Sequence, residues 1–122
     1  MAHLVTAYTA GIAGANIKVS RVGGFTKARL LRDAAVALDM MVAIDDTWGC
    51  ALPTAQNIRM AASTPPNRLR AVDVFAEWTS PALTENPRMK SHGLITHPSL
   101  PGTRFGTIIV DILGEPLFYI KA

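Results

Sequence analysis

Lys18 stands within Asn16-Ile17-Lys18-Val19-Ser20, where polar and apolar residues alternate. Alternation of period two predicts a strand over 16–20, with Ile17 and Val19 on one face and Lys18 and Ser20 on the other. An amine on a strand sheltered by helices either reaches water at a sheet edge or points into an enclosed site. The edge position is the commoner one for a lone lysine. In the enclosed case desolvation favours the neutral amine, which can exchange a proton with a substrate near neutral pH.

Two further polar clusters follow apolar runs. Asp45-Asp46-Thr47-Trp48-Gly49 comes after Met40–Ile44, and Glu77-Trp78 comes after a run beginning at Val72. In parallel α/β sheets the carboxyl ends of the strands carry the chemistry. Alternation sends adjacent carboxylates to opposite sides, so Asp45 and Asp46 cannot both face one site unless the strand has already ended. Taken singly, each of these residues is as well explained as a loop or capping group. Trp48 and Trp78 are candidates to wall a pocket, with buried packing as the simpler account.

Other residues carry weaker signals. His3, His92 and His97 have no metal-ligand spacing, and Cys50 has no histidine or cation beside it to activate the thiol. The serines lack a Gly-x-Ser-x-Gly elbow, and neither common glycine-rich phosphate-binding pattern is present.

The elements that would position the clusters can be read from periodicity. His3–Ala13 places Leu4, Ala7, Tyr8 and Ile12 at helical spacing. Gly23-Gly24 closes the first strand in a loop. A helix then starts with Thr26 as a plausible cap, burying Ala28, Leu31, Ala35 and Leu38 and leaving Lys27, Arg29, Arg32 and Asp33 to solvent. Met40–Ile44 reads as a strand covered on both faces. Pro53 fits a first helical turn, Ala55, Ile58 and Ala62 mark an apolar side, and Thr64-Pro65-Pro66 stops the helix. Val72–Trp78 predicts a third strand with Val72, Val74, Ala76 and Trp78 on one face, opposite Asp73, Phe75 and Glu77.

The order helix, strand, helix, strand, helix, strand implies βαβ crossovers and a parallel sheet. The expected fold class is therefore α/β, with a unit over 1–78 whose strands lie near 16–20, 40–45 and 72–77. Pro81, Pro87, Pro98, Pro101 and Pro116 predict an irregular segment over 79–122 that packs on it. Short extended pieces are expected at Leu94–Thr96, Thr107–Val110 and Leu117–Ile120.

The 122 residues are 49% apolar and 17% charged, which excludes a disordered chain, and the single cysteine excludes an internal disulfide framework. No apolar run is long enough to span a bilayer, and the first fifteen residues do not resemble a signal peptide, so a cytoplasmic protein without membrane contact is expected. The mean hydropathy of +0.24 is high for this length and points to a buried partner interface. The net charge of +3 is dispersed along the chain, so nucleic acid is not an expected partner.

The run Asn16–Asp33, NIKVSRVGGFTKARLLRD, resembles the sixth barrel strand and following helix of the mandelate racemase and muconate lactonizing group in the enolase superfamily. Ala43–Pro66, AIDDTWGCALPTAQNIRMAASTPP, resembles that group's seventh strand and helix, and its DDTWG is most similar to the cis-3-hydroxy-L-proline dehydratase-like members. Gly93–Leu117 resembles the group's C-terminal segment.

The resemblance implies the last few strands of a (β/α) barrel, whose complete form takes about 250 residues. By it, Lys18 corresponds to the lysine that acts as acid/base on a carbon next to the substrate carboxylate. Asp46 and Glu77 are the catalytic carboxylates implied at the neighbouring strand mouths, with Asp45, Thr47, Trp48 and Trp78 as substrate-binding residues. The family uses magnesium to stabilise the enediolate. Its carboxylate metal ligands, partner lysine and capping domain lie on segments preceding this stretch, so no metal site is expected from these residues. Cys50 stands where relatives commonly carry another glycine.

The expectation is a C-terminal barrel segment of a lyase or isomerase that is inactive alone. It would act on a small carboxylate substrate only with a complementary N-terminal barrel chain. The alternative is a non-catalytic homo-oligomer covering its own open barrel edge.

Overall fold

The computed structural model describes residues 1–48, 50–84, 91–95 and 107–115. Helix α1 (Ala2–Thr9) leads to strand β1 (Gly14–Lys18), helix α2 (Phe25–Ala37), strand β2 (Met41–Asp45), helix α3 (Ala51–Ala62) and strand β3 (Leu69–Val72). Single 3-10 turns follow at Ala76–Trp78 and Val110–Leu113. The strands form one parallel sheet in the order β1-β2-β3. The fold is thus the expected α/β arrangement, a partial barrel segment.

The register sorts the sheet into two faces. Ile17 pairs with Ile44 and Ala15 with Val42, and Ile17, Val42 and Ile44 are fully buried together with Ala28, Ala35 and Met60 of the helices. Burying the isoleucine, valine and methionine side chains contributes about 1.5–3 kcal/mol each. The opposite face carries the rows Asn16-Ala43-Ala71 and Lys18-Asp45. Asn16 and Ala71 are exposed on it, and a groove runs along it past Gly14, Met41, Ala43 and Arg70.

Several local expectations shift. Helix α1 stops at Thr9 because Gly11 turns the chain at φ 78°, and Leu4 is buried while Tyr8 and Ile12 stay exposed. Strand β1 begins two residues early. Thr26 lies inside α2 rather than capping it, because Gly24, at φ 105°, makes the turn that the cap would have made and the helix begins at Phe25. Arg32, expected in solvent, is buried. Its Nη1 donates to the Met60 carbonyl at 3.1 Å, the Ser63 hydroxyl at 3.1 Å and the Thr64 hydroxyl at 2.8 Å, so the guanidinium ties α2 to the carbonyl end of α3. On α3, Ala61 is buried in place of Ala62.

Strand β3 lies earlier than the predicted Val72–Trp78. Its last ladder bond runs from the Asp73 N–H to the Ile44 carbonyl at 2.9 Å, and β2 ends at Asp45. The Phe75 N–H then goes to the Asp46 carboxylate, so the chain leaves the sheet and closes the 3-10 turn. Val74 and Ala76 are buried as expected, but Trp78 is exposed.

Beyond Trp78 the described residues are irregular. Thr84 bridges Ile108, Ser91 bridges Leu94, and Ile95 packs on the cluster of Ala51, Ala55, Ile58, Val74 and Ala76. The extended piece expected at Leu117–Ile120 and residue Thr96 lie outside the described residues. Among the described residues no helix is long and apolar enough to cross a membrane.

Candidate active site

The carboxyl ends of three successive parallel strands bring Lys18, Asp45 and Asp73 to one edge. Lys18 and Asp45 are register partners across β1 and β2, and Lys18 Nζ lies 2.8 Å from Asp45 Oδ2. The same ammonium donates to the Asp46 main-chain carbonyl at 3.0 Å. Two residues before Lys18, and so on the same face, the Asn16 side-chain amide donates to Asp45 Oδ2 at 3.2 Å.

The Lys18 side chain is 32% exposed and that of Asp45 12%, so the pair is sheltered yet reachable from the strand mouth. Burial works against the Asp45 carboxylate. Side-chain hydrogen bonds with Lys18, Asp73 and Asn16 and the Lys18 charge overcome it, and its pKa is held below the ordinary 3.8.

Asp46 points the other way, as alternation demands, and is fully buried. Its Oδ1 accepts the Thr47 N–H at 2.8 Å, and its Oδ2 accepts the Thr54 hydroxyl at 2.5 Å and the Phe75 N–H at 3.1 Å. The catalytic part implied for this carboxylate is not one its position allows: its oxygens are committed to internal donors and closed to solvent. Thr47 is half-buried beside it.

Glu77, expected at the mouth of the third strand, sits half-buried in the 3-10 turn beyond β3, because β3 ends at Val72. Asp73 takes the strand-end position instead. Sequence reasoning missed it by placing that strand too late, and missed Asn16 although its spacing of two from Lys18 marks the shared face.

Trp48 and Trp78, expected as binding residues, meet through Phe75. The ring centroids are 4.9 Å apart for Trp48 and Phe75, 4.8 Å for Phe75 and Trp78, and 5.4 Å for the two indoles. Trp48 is 68% and Trp78 58% exposed, so the cluster presents an apolar surface outward rather than filling a core. Trp48 takes φ 38°, an uncommon conformation for a non-glycine residue.

Cys50 is a half-buried free thiol at the start of α3. His3 and His92 are exposed, and His97 lies outside the described residues.

The donors do not fit a magnesium ion. Among the described residues no three His, Cys, Asp or Glu side chains converge, and Asp45 already faces an ammonium and an amide. A hard cation needs several free oxygen ligands.

Residues 2–104 match the family described as enolase C-terminal domain-like. The cis-3-hydroxy-L-proline dehydratase of Roseibium aggregatum is 37% identical over 102 residues, which are 84% of this chain and 28% of that protein. A member of the enolase superfamily from Roseovarius nubinhibens ISM, solved with magnesium, superposes at a TM-score of 0.85 with 30% identity, over 97% of this chain and 32% of that one. A mandelate racemase/muconate lactonizing enzyme from Roseovarius nubinhibens ISM gives 0.85 and 25% identity, over 95% of this chain and 31% of that one. The chain therefore spans less than a third of the length of each of these relatives.

Proposed function

This chain belongs to the enolase C-terminal domain-like family, in its mandelate racemase/muconate lactonizing group, and from that premise we propose that it forms the lysine-bearing wall of a barrel active site. Lys18 exchanges a proton with the carbon next to a substrate carboxylate. The observation that carries this reading is the Lys18 ammonium held at 2.8 Å from Asp45 and 3.0 Å from the Asp46 carbonyl at the carboxyl end of a parallel sheet.

As an ammonium the group donates a proton, and as a free amine it accepts one. Asp45 and Asn16 supply the polar contacts that orient a small substrate. The Trp48-Phe75-Trp78 cluster offers an apolar wall beside them. For a 3-hydroxy amino acid of the kind named for the Roseibium relative, a proton leaves the carbon bearing the carboxylate and the hydroxyl leaves its neighbour, so that water is lost.

The open face of Asn16, Ala43 and Ala71 supports a further element of the reading, that the site is completed by a complementary barrel segment. By the resemblance, that segment would also bring the partner lysine and the oxygen ligands of the family's magnesium, which would stabilise developing negative charge. The reading includes a cytoplasmic setting, in keeping with the single cysteine.

A chimera tests the reading: this chain replaces the corresponding C-terminal segment of the Roseibium dehydratase, and loss of water from cis-3-hydroxy-L-proline is followed. An active chimera that loses roughly 10²–10⁴-fold in kcat on Lys18→Ala is expected. A folded, active chimera indifferent to that substitution overturns it.

A further inference from the structure

The peptide unit between Asp46 and Thr47 is held at both ends. Its N–H donates to Asp46 Oδ1 at 2.8 Å, and its carbonyl accepts the Lys18 ammonium at 3.0 Å. The peptide is planar and its N–H and C=O point in opposite directions, so fixing one fixes the other. The other carboxylate oxygen is anchored twice, by the Thr54 hydroxyl in the first turn of α3 and by the Phe75 N–H beyond β3. A fully buried carboxylate is costly unless its oxygens are satisfied, and these donors satisfy them.

We propose that Asp46 is a positioning residue, whose buried carboxylate sets the peptide carbonyl on which the Lys18 ammonium rests and holds the Trp48-Phe75-Trp78 cluster in register. The second part follows from the same bonds. Thr47, one residue before Trp48, and Phe75, the central ring, are both held through their N–H groups by this side chain. The acid/base amine and the aromatic wall thus share one anchor. The functional meaning of that anchor rests on the reading of Lys18 given above, but the anchoring itself is measurable without catalysis.

Asp46→Asn keeps the shape and removes the charge and one acceptor. Two signals report on it in the intact chain: hydrogen exchange of the Lys18 ammonium by NMR, and the exciton couplet of the only two tryptophans, whose centroids are 5.4 Å apart. In Asp46→Asn the ammonium is expected to exchange about tenfold faster, with most of the couplet lost. Arg32→Met serves as a control, since it weakens the α2–α3 contact far from the loop and should leave both signals in place.

An Asp46→Asn protein that melts lower but keeps both signals overturns the proposal, because a merely structural role would do that. If Asp46→Asn does not fold, Thr54→Val decides: a rise of roughly threefold in ammonium exchange supports the proposal, and parental exchange overturns it. If both signals respond as stated while the chimera is indifferent to Lys18→Ala, the functional reading fails and the positioning role stands.

Discussion

Lys18 and Asp45 sit at the same register position of adjacent parallel strands, with Nζ and Oδ2 2.8 Å apart. Register pairing of this kind makes the ion pair a property of the sheet, not of two long side chains finding each other on a surface. Burial of the carboxylate and the second contact of the ammonium, to the Asp46 carbonyl, both depend on where β2 ends.

The pair has a defined pH dependence. The Asp45 pKa is lowered in the folded chain, so its stabilising contribution is fully present above the ordinary value of 3.8 and is lost as pH falls through the lowered value. Carboxyl NMR of Asp45 is expected to show a midpoint below 3.8, moving up in Lys18→Met. A midpoint at or above 3.8 in the parent would mean that the pair does not form in solution.

Arg32 bridges α2 to the end of α3 through three acceptors. Arg32→Met keeps the aliphatic stem and removes the donors, and a loss of about 1–3 kcal/mol in urea unfolding is expected. A change within about 0.5 kcal/mol would show that the acceptors find other partners at no cost.

Gly24 precedes α2 as its N-cap at φ 105°, with nothing within 4 Å of where a Cβ would stand. Gly24→Ala therefore isolates backbone strain from crowding. A destabilisation of about 1–3 kcal/mol is expected by chemical denaturation, and unchanged stability would show that the loop relaxes.

Ala43 lies in the centre of the open sheet face, between Asn16 and Ala71. Ala43→Glu should change the unfolding free energy of the chain by no more than about 0.5 kcal/mol, since the face is uncovered. In the chimera the same substitution places an unpaired carboxylate inside the barrel and should abolish activity. Full activity of the substituted chimera would mean that this face is not the inner wall.

Much of this organisation is legible in the sequence because period-two and helical spacing report burial directly. Ile17 and Ile44 announce the covered face, and the DDTWG run announces a strand mouth. Strand ends are less legible. The alternation from Val72 to Trp78 is real, yet Asp46, nearly thirty residues earlier, captures the Phe75 N–H and ends the ladder, and only the fold brings those groups together. That displacement hid Asp73 and misplaced Glu77. The burial of Arg32 is hidden for the same reason, since the Met60, Ser63 and Thr64 acceptors of its Nη1 lie at the end of another helix. The two aspartates could be sent to opposite sides by alternation, but which one faces the site depended on the register with Lys18.

The most direct test of Lys18 as the proton-exchanging group is deuterium incorporation from heavy water at the carbon next to the substrate carboxylate, measured by NMR in the active chimera. The account predicts exchange that falls by roughly 10²–10⁴-fold in Lys18→Ala while substrate still binds. Undiminished exchange in a folded Lys18→Ala chimera would contradict it.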